Sequence, residues 1–137
     1  MVADSGYQEI DHVADRAYRI WAADLGGLLS AGARALYDLA GISVGCGTRE
    51  ERGLELEAPD RESLLIAWLN ELLLLLEKDR IAFAQFDFAD LSDIHVRATG
   101  RGKVSSQVPK EIKAATYHRL TIASSSRGLE ATVVFDV

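Results

Sequence analysis

Cysteine occurs once in this chain of 137 residues, as Cys46 between Gly45 and Gly47, so no internal disulfide can form. That scarcity fits a reducing compartment, and the cytoplasm is the expected location. Cys46 reads as a small strand or turn residue, with a reactive thiol as the lesser alternative. Clustered basic residues are also missing. The formal net charge of −6 argues against autonomous binding to nucleic acid, whose affinity rests on lysines and arginines gathered against phosphate. The opening stretch, Met1-Val2-Ala3-Asp4-Ser5-Gly6, carries neither a basic region nor an apolar run, so no secretory signal is expected. No apolar run is long enough for a membrane. Leu64 to Leu76 is 13 residues with Glu71 inside it, against the roughly 20 that a span needs. There is no CxxC, no HExxH and no EF-hand loop, and Gly100-Arg101-Gly102 lacks the spacing of a phosphate loop.

What is present is ordinary globular material, 48% hydrophobic and 26% charged, in a length that suits one domain, 1–137, with a real core. Alternation predicts strands at Tyr7–His12 and Ala17–Ala22. Asp24 is placed to cap a helix whose apolar positions Leu25, Leu28, Leu29, Ala33, Leu36 and Leu39 recur at helical spacing, and Gly41 ends it. Strands are expected at Ile42–Thr48 and Arg52–Ala58. The leucine-rich helix follows, with Asp60 as its cap, Glu62 and Lys78 matched to its dipole, and Trp68 on its buried ridge. Four more strands are expected at Ala82–Ala89, Ile94–Gly100, Ala115–Ala123 and Leu129–Val137. Short turns join several of them, and only Arg101 to Lys113 reads as a long connection. The predicted fold is α+β, two helices packed on a largely antiparallel β-sheet in a single domain.

Three polar constellations interrupt this pattern. His12, between Asp11 and Val13, stands three residues before Asp15. A His-x-x-Asp pair is compatible with an oriented imidazole, with two metal ligands, or with the plain end of a strand. No serine or cysteine nearby makes a convincing nucleophile for it. Asn70-Glu71 is the only polar break in the leucine helix, and marks an exposed stripe or a hydrogen bond from helix to strand. Lys113 and His118 flank the entry of a late strand, where the bland reading is a solvated strand start. At the far end of the sequence, Asp136 closes a strand-like run beside Val137. If both termini meet on one sheet, Asp15 and Asp136 form an oxygen site for a hard divalent cation.

These places, in this order, resemble the archease family: Tyr7 to Asp15, Leu64 to Leu73 with Trp68-Leu69-Asn70-Glu71, Ile112 to His118, and the closing Val133 to Val137. Four ordered motifs cover nearly the whole chain. The resemblance implies an accessory protein and not a stand-alone enzyme: an activator of the GTP-dependent, RtcB-type RNA ligase of tRNA splicing, promoting guanylylation of the ligase and multiple turnover. It also implies a divalent cation, calcium first, held by Asp15, Asp136 and Val137, the last through its backbone or terminal oxygens. Asp11, His12, Lys113 and His118 would stand behind that site or against the partner. Val13 replaces the family's usual threonine, and the 101–110 segment lacks the acidic and histidine residues many relatives carry. A reading from another class, a small metal-dependent hydrolase with Asp15 and Asp136 on the ion and His12 or His118 as base, also fits the residues.

Overall fold

The computed structural model describes residues 5–10, 16–42, 48–105 and 107–137. Among them the chain forms β1 (Gly6–Ile10), β2 (Arg16–Ala22), α1 (Leu25–Ala40), β3 (Thr48–Glu57), α2 (Arg61–Asp79), β4 (Ile81–Leu91), β5 (His95–Val104), β6 (Ala114–Thr116), β7 (Ala123–Ser125) and β8 (Gly128–Asp136). The expected strand at 42–48 and the candidates Asp11, His12, Val13, Asp15 and Cys46 lie outside the described residues, apart from Ile42 and Thr48.

Both helices start as their sequences require. The Asp24 carboxylate accepts from the Gly27 N–H at 2.8 Å, and the Asp60 carboxylate accepts from Ser63 at 2.7 Å, each satisfying a backbone donor that the first turn leaves open. Gly41 closes α1 in the left-handed region (φ 76°), and Ile42 donates back to the Tyr37 carbonyl at 2.9 Å. Trp68 is fully buried in α2, and its indole N–H donates to the Leu29 carbonyl of α1 at 3.0 Å. The same ring packs on Phe86 and Phe88 of β4, with centroids 4.8 and 5.8 Å away. The leucine run is therefore core, and among the described residues no helix is long and apolar enough to cross a membrane.

The strands divide into two antiparallel sheets where a single one was expected. One has the order β1-β2-β8-β6, with β7 also paired to β8; the other has the order β3-β5-β4. Each helix packs against strands of both sheets. Period-two alternation reports which face of a strand is buried, and cannot report which sheet the strand joins.

Two further boundaries differ from the sequence reading for physical reasons. β5 continues to Val104, so Arg101 to Lys103 are strand and the long connection shrinks. The glycines there answer to packing: a Cβ on Gly102 would stand 1.9 Å from the Ala82 carbonyl oxygen, and one on Gly100 would enter the Phe83 ring at 2.6 Å. The expected strand Ala115–Ala123 is two short strands, β6 and β7. Between them the chain turns, with Leu120 donating to the Tyr117 carbonyl at 3.0 Å and Arg119 held at φ 52°.

Candidate functional site

β8 runs between β2 on one side and β6 and β7 on the other, and it ends at Asp136. On the β6 side Ala114 is opposite Asp136, and the Lys113 N–H donates to the Asp136 carbonyl at 2.8 Å. On the β2 side Arg16 is opposite Phe135. Asp136 and Val137 are exposed, Val137 by 44%. The register thus brings the acidic end of β8, the lysine that enters β6 and the start of β2 to one edge of the larger sheet.

A cavity of about 240 Å³ opens beside this edge, lined by Glu9, Arg16, Tyr18, Asp38, Leu39, Lys110, Glu111 and Val137. Four parts of the chain converge on it. The β1–β2 hairpin supplies Glu9 and Arg16, which meet at 3.3 Å, and also Tyr18. The last turn of α1 supplies Asp38, whose carboxylate accepts from the Tyr18 hydroxyl at 3.0 Å. The segment before β6 supplies Lys110 and Glu111. It is tied to α1 by the Lys110 N–H, which donates to the Ala40 carbonyl at 3.1 Å and so fills a place the helix end leaves open. Val137 completes the rim.

The electrostatics follow from these neighbours. Burial, the hydrogen bond to Asp38 and the Asp38 charge push the Tyr18 phenol well above its ordinary range. Tyr7 is raised as well, by burial first and the Asp38 charge second, with Arg34 opposing. Both phenols stay protonated at any physiological pH. Asp38 is itself an acidic group in the last turn of a helix, where the dipole disfavours negative charge. The phenol compensates for that placement.

The cavity wall carries carboxylates in excess: Glu9, Asp38 and Glu111 against Arg16 and Lys110, with Val137 at the rim. Such a wall suits a hard cation or a basic partner group. Among the described residues that line it there is no serine, threonine, cysteine or histidine. Among the described residues no three His, Cys, Asp or Glu side chains lie close enough together to hold a metal ion.

Of the residues singled out from sequence, Asp136, Val137 and Lys113 come together here. His118 follows β6, two residues past Thr116, whose partner on β8 is Val134. Its N–H is turned onto the Thr116 hydroxyl at 3.3 Å. Asp11, His12 and Asp15 lie outside the described residues. The sequence reading missed Glu9, Arg16, Tyr18, Asp38 and Glu111. Only Asp38 left a legible signal, as an acid at the wrong end of a helix.

The profile of the Archease protein family (MTH1598/TM1083) matches residues 7–137. The chain belongs to the archease family. It is 34% identical to the protein archease of Archaeoglobus fulgidus over 96% of this chain and 98% of that one, and 32% identical to that of Methanopyrus kandleri over 96% and 99%. Among solved structures, it is similar to an archease of Thermotoga maritima, described as a possible chaperone (TM-score 0.72, 27% identity, 95% and 96% covered). It is also similar to protein 1598 of Methanobacterium thermoautotrophicum (TM-score 0.70, 26% identity, 96% and 99% covered). The α+β class with its two helices and antiparallel pairing is thus the archease fold.

Proposed function

We propose that this archease is a cytoplasmic, chaperone-like accessory protein of an RtcB-type, GTP-dependent RNA ligase of tRNA splicing. It binds a divalent cation, calcium first, and promotes guanylylation and repeated turnover of the ligase without catalysing a reaction of its own. The observation that supports this reading best is the junction of β6 and β8. The hydrogen bond from Lys113 to Asp136 sets the acidic end of β8 beside a carboxylate-rimmed cavity, at an exposed edge. In the reading, Asp15, Asp136 and the main-chain oxygens of Val137 hold the cation. All are hard oxygen donors, with no nitrogen or sulfur among them, and that set fits calcium or a similar ion. A bound divalent ion supplies positive charge that nucleotidyl transfer uses on its phosphates.

The chain's own part is positional. Lys113 balances the carboxylates, and the exposed Asp136–Val137 end is what a basic, metal-dependent pocket on the ligase would receive. The phenol of Tyr18 keeps Asp38 oriented toward the cavity. Asp11, His12 and His118 are contacts for the partner in this reading.

The test is guanylylation of the purified ligase by labelled GTP, with and without this protein. Asp136→Asn, a surface change expected to fold normally, should reduce stimulation by about ten-fold or more, as loss of a charged ligand does elsewhere. Full stimulation by the Asp136→Asn protein sinks the proposal. Phosphoester turnover by the chain alone would move it to the hydrolase class.

A further inference from the structure

β6 has only three residues, and just before it the backbone N–H of Lys113 meets the Asp136 carbonyl. A strand this short is poorly held by its own ladder. Among the described residues, its side facing away from β8 has no neighbouring strand. Ala115, in the middle, is 4% exposed, so its peptide groups need partners on that open side.

Asn70 of α2 provides them. Its Oδ1 accepts from the Ala115 N–H at 2.9 Å, and its Nδ2 donates to the Ala115 carbonyl at 3.3 Å. A side-chain amide offers one acceptor and one donor side by side, as a peptide unit does, so Asn70 stands where one residue of an adjacent strand would. Seven residues on, just before β7, α2 does this again. The Ile122 N–H donates to Glu62 at 3.0 Å, and Arg61 donates to the Ile122 carbonyl at 2.7 Å. The 115–122 segment is thus bracketed at both ends by side chains of a buried helix.

We propose that Asn70 is the positioning residue of the Asp136 edge: by pinning Ala115 it holds β6 on β8 and fixes Lys113 against Asp136. The functional half of this inference rests on the reading of Asp136 as a cation ligand; the structural half does not. Both hydrogen bonds of Asn70 among the described residues go to Ala115, and it does not line the cavity, so its influence runs through the β6 backbone.

The experiment compares Asn70→Asp with Arg61→Met. Asn70→Asp keeps an acceptor for Ala115 and removes the donor; Arg61→Met breaks the second bracket and leaves the first. Amide exchange by NMR is read at Ala115, Lys113 and Leu72, and the calcium concentration at half-maximal thermal shift is read in parallel. In Asn70→Asp, exchange at Ala115 and Lys113 should quicken about ten-fold together, while Leu72 stays unchanged. The calcium midpoint should rise about three-fold or more, and Arg61→Met should not move it. Unchanged exchange at Lys113 in Asn70→Asp overturns the proposal, as does an equal calcium effect from Arg61→Met. Loosened Lys113 with an unmoved calcium midpoint upholds the positioning and rejects the cation reading instead. Should Asn70→Asp not fold, the wild-type protein decides. Under mild denaturant Ala115 and Lys113 should open with one common free energy, and independent opening overturns the proposal.

Discussion

On the three-stranded sheet, His95 of β5 is gripped from both sides. Its Nδ1 meets Asp90 of β4 at 2.7 Å and its Nε2 meets Glu55 of β3 at 2.8 Å, so one side chain ties all three strands. Arg101 is paired with Asp87 on the same sheet, and Arg52 reaches Asp79 of α2 at 2.8 Å. At the end of β8 the pattern is opposite. Asp136 forms no ion pair among the described residues, and the cavity beside it holds carboxylates whose cations are fewer. Charge that is matched within the fold serves the fold. Charge left over at an exposed edge is available to something outside it.

The comparison breaks if the two regions depend on one another. Gly102→Ala drives a methyl group against the Ala82 carbonyl, and it should destabilise the protein by about 3 kcal/mol or more, read as a lowered denaturant midpoint. On the proposed function, the variant should still stimulate the ligase normally below its melting temperature. A parallel loss of stimulation would mean the two sheets share one function. Tyr18→Phe is the next largest: it strips Asp38 of its donor and should cost about 1 kcal/mol in chemical denaturation. Asp136→Asn should leave metal-free stability within about 0.5 kcal/mol of wild type while abolishing the calcium-dependent thermal shift. A retained shift would place the cation elsewhere.

The smallest effect concerns pH and sharpens the contrast. Hydrogen bonds to Glu55 and then Asp90 raise the His95 pKa above its usual value. Its contribution to stability is complete below about pH 6.5, the unfolded value, and fades as pH climbs through the higher folded value. Melting temperatures of wild type and His95→Gln between pH 5.5 and 8.5 should therefore converge as pH rises. The pair Arg52–Asp79 acts at the other extreme. Asp79 is lowered by the hydrogen bond from Arg52, so that contribution is lost only as pH falls through the depressed carboxylate value. Curves that stay parallel for His95→Gln would show that the clasp contributes nothing.

The helices were legible because their signals are local: Asp24, Asp60 and Gly41 act within one turn of their own positions. Trp68 was legible as core from its spacing alone. The division into two sheets was not, since the choice between neighbours for β2 or β5 is made by partners far away in the chain. Gly102 reads as a loop residue from sequence because the need for a bare backbone arises only when Ala82 arrives. Asn70 was noticed as a polar break, with a helix–strand hydrogen bond as one of its meanings, and Ala115 decided between them. At the candidate site, Asp136 stood out as an acid closing a strand. Glu9, Arg16, Tyr18 and Asp38 carry no motif, and only the β1–β2–β8 register gathers them.

β8 occupies the middle of the larger sheet, and Tyr18 of β2 pairs with Val133, a separation of 115 residues (133 − 18). During synthesis the hairpin of β1 and β2 leaves the ribosome long before its central neighbour exists. At translation speeds of about 5–20 residues per second, that wait lasts on the order of ten seconds. Over that interval the apolar face of β2, with Tyr18, Ile20 and Ala22, has α1 as its nearest available cover. The cavity beside Asp136 can form only once β8 has taken its place between β2 and β6, so this edge matures well after the β1–β2 pair that borders it.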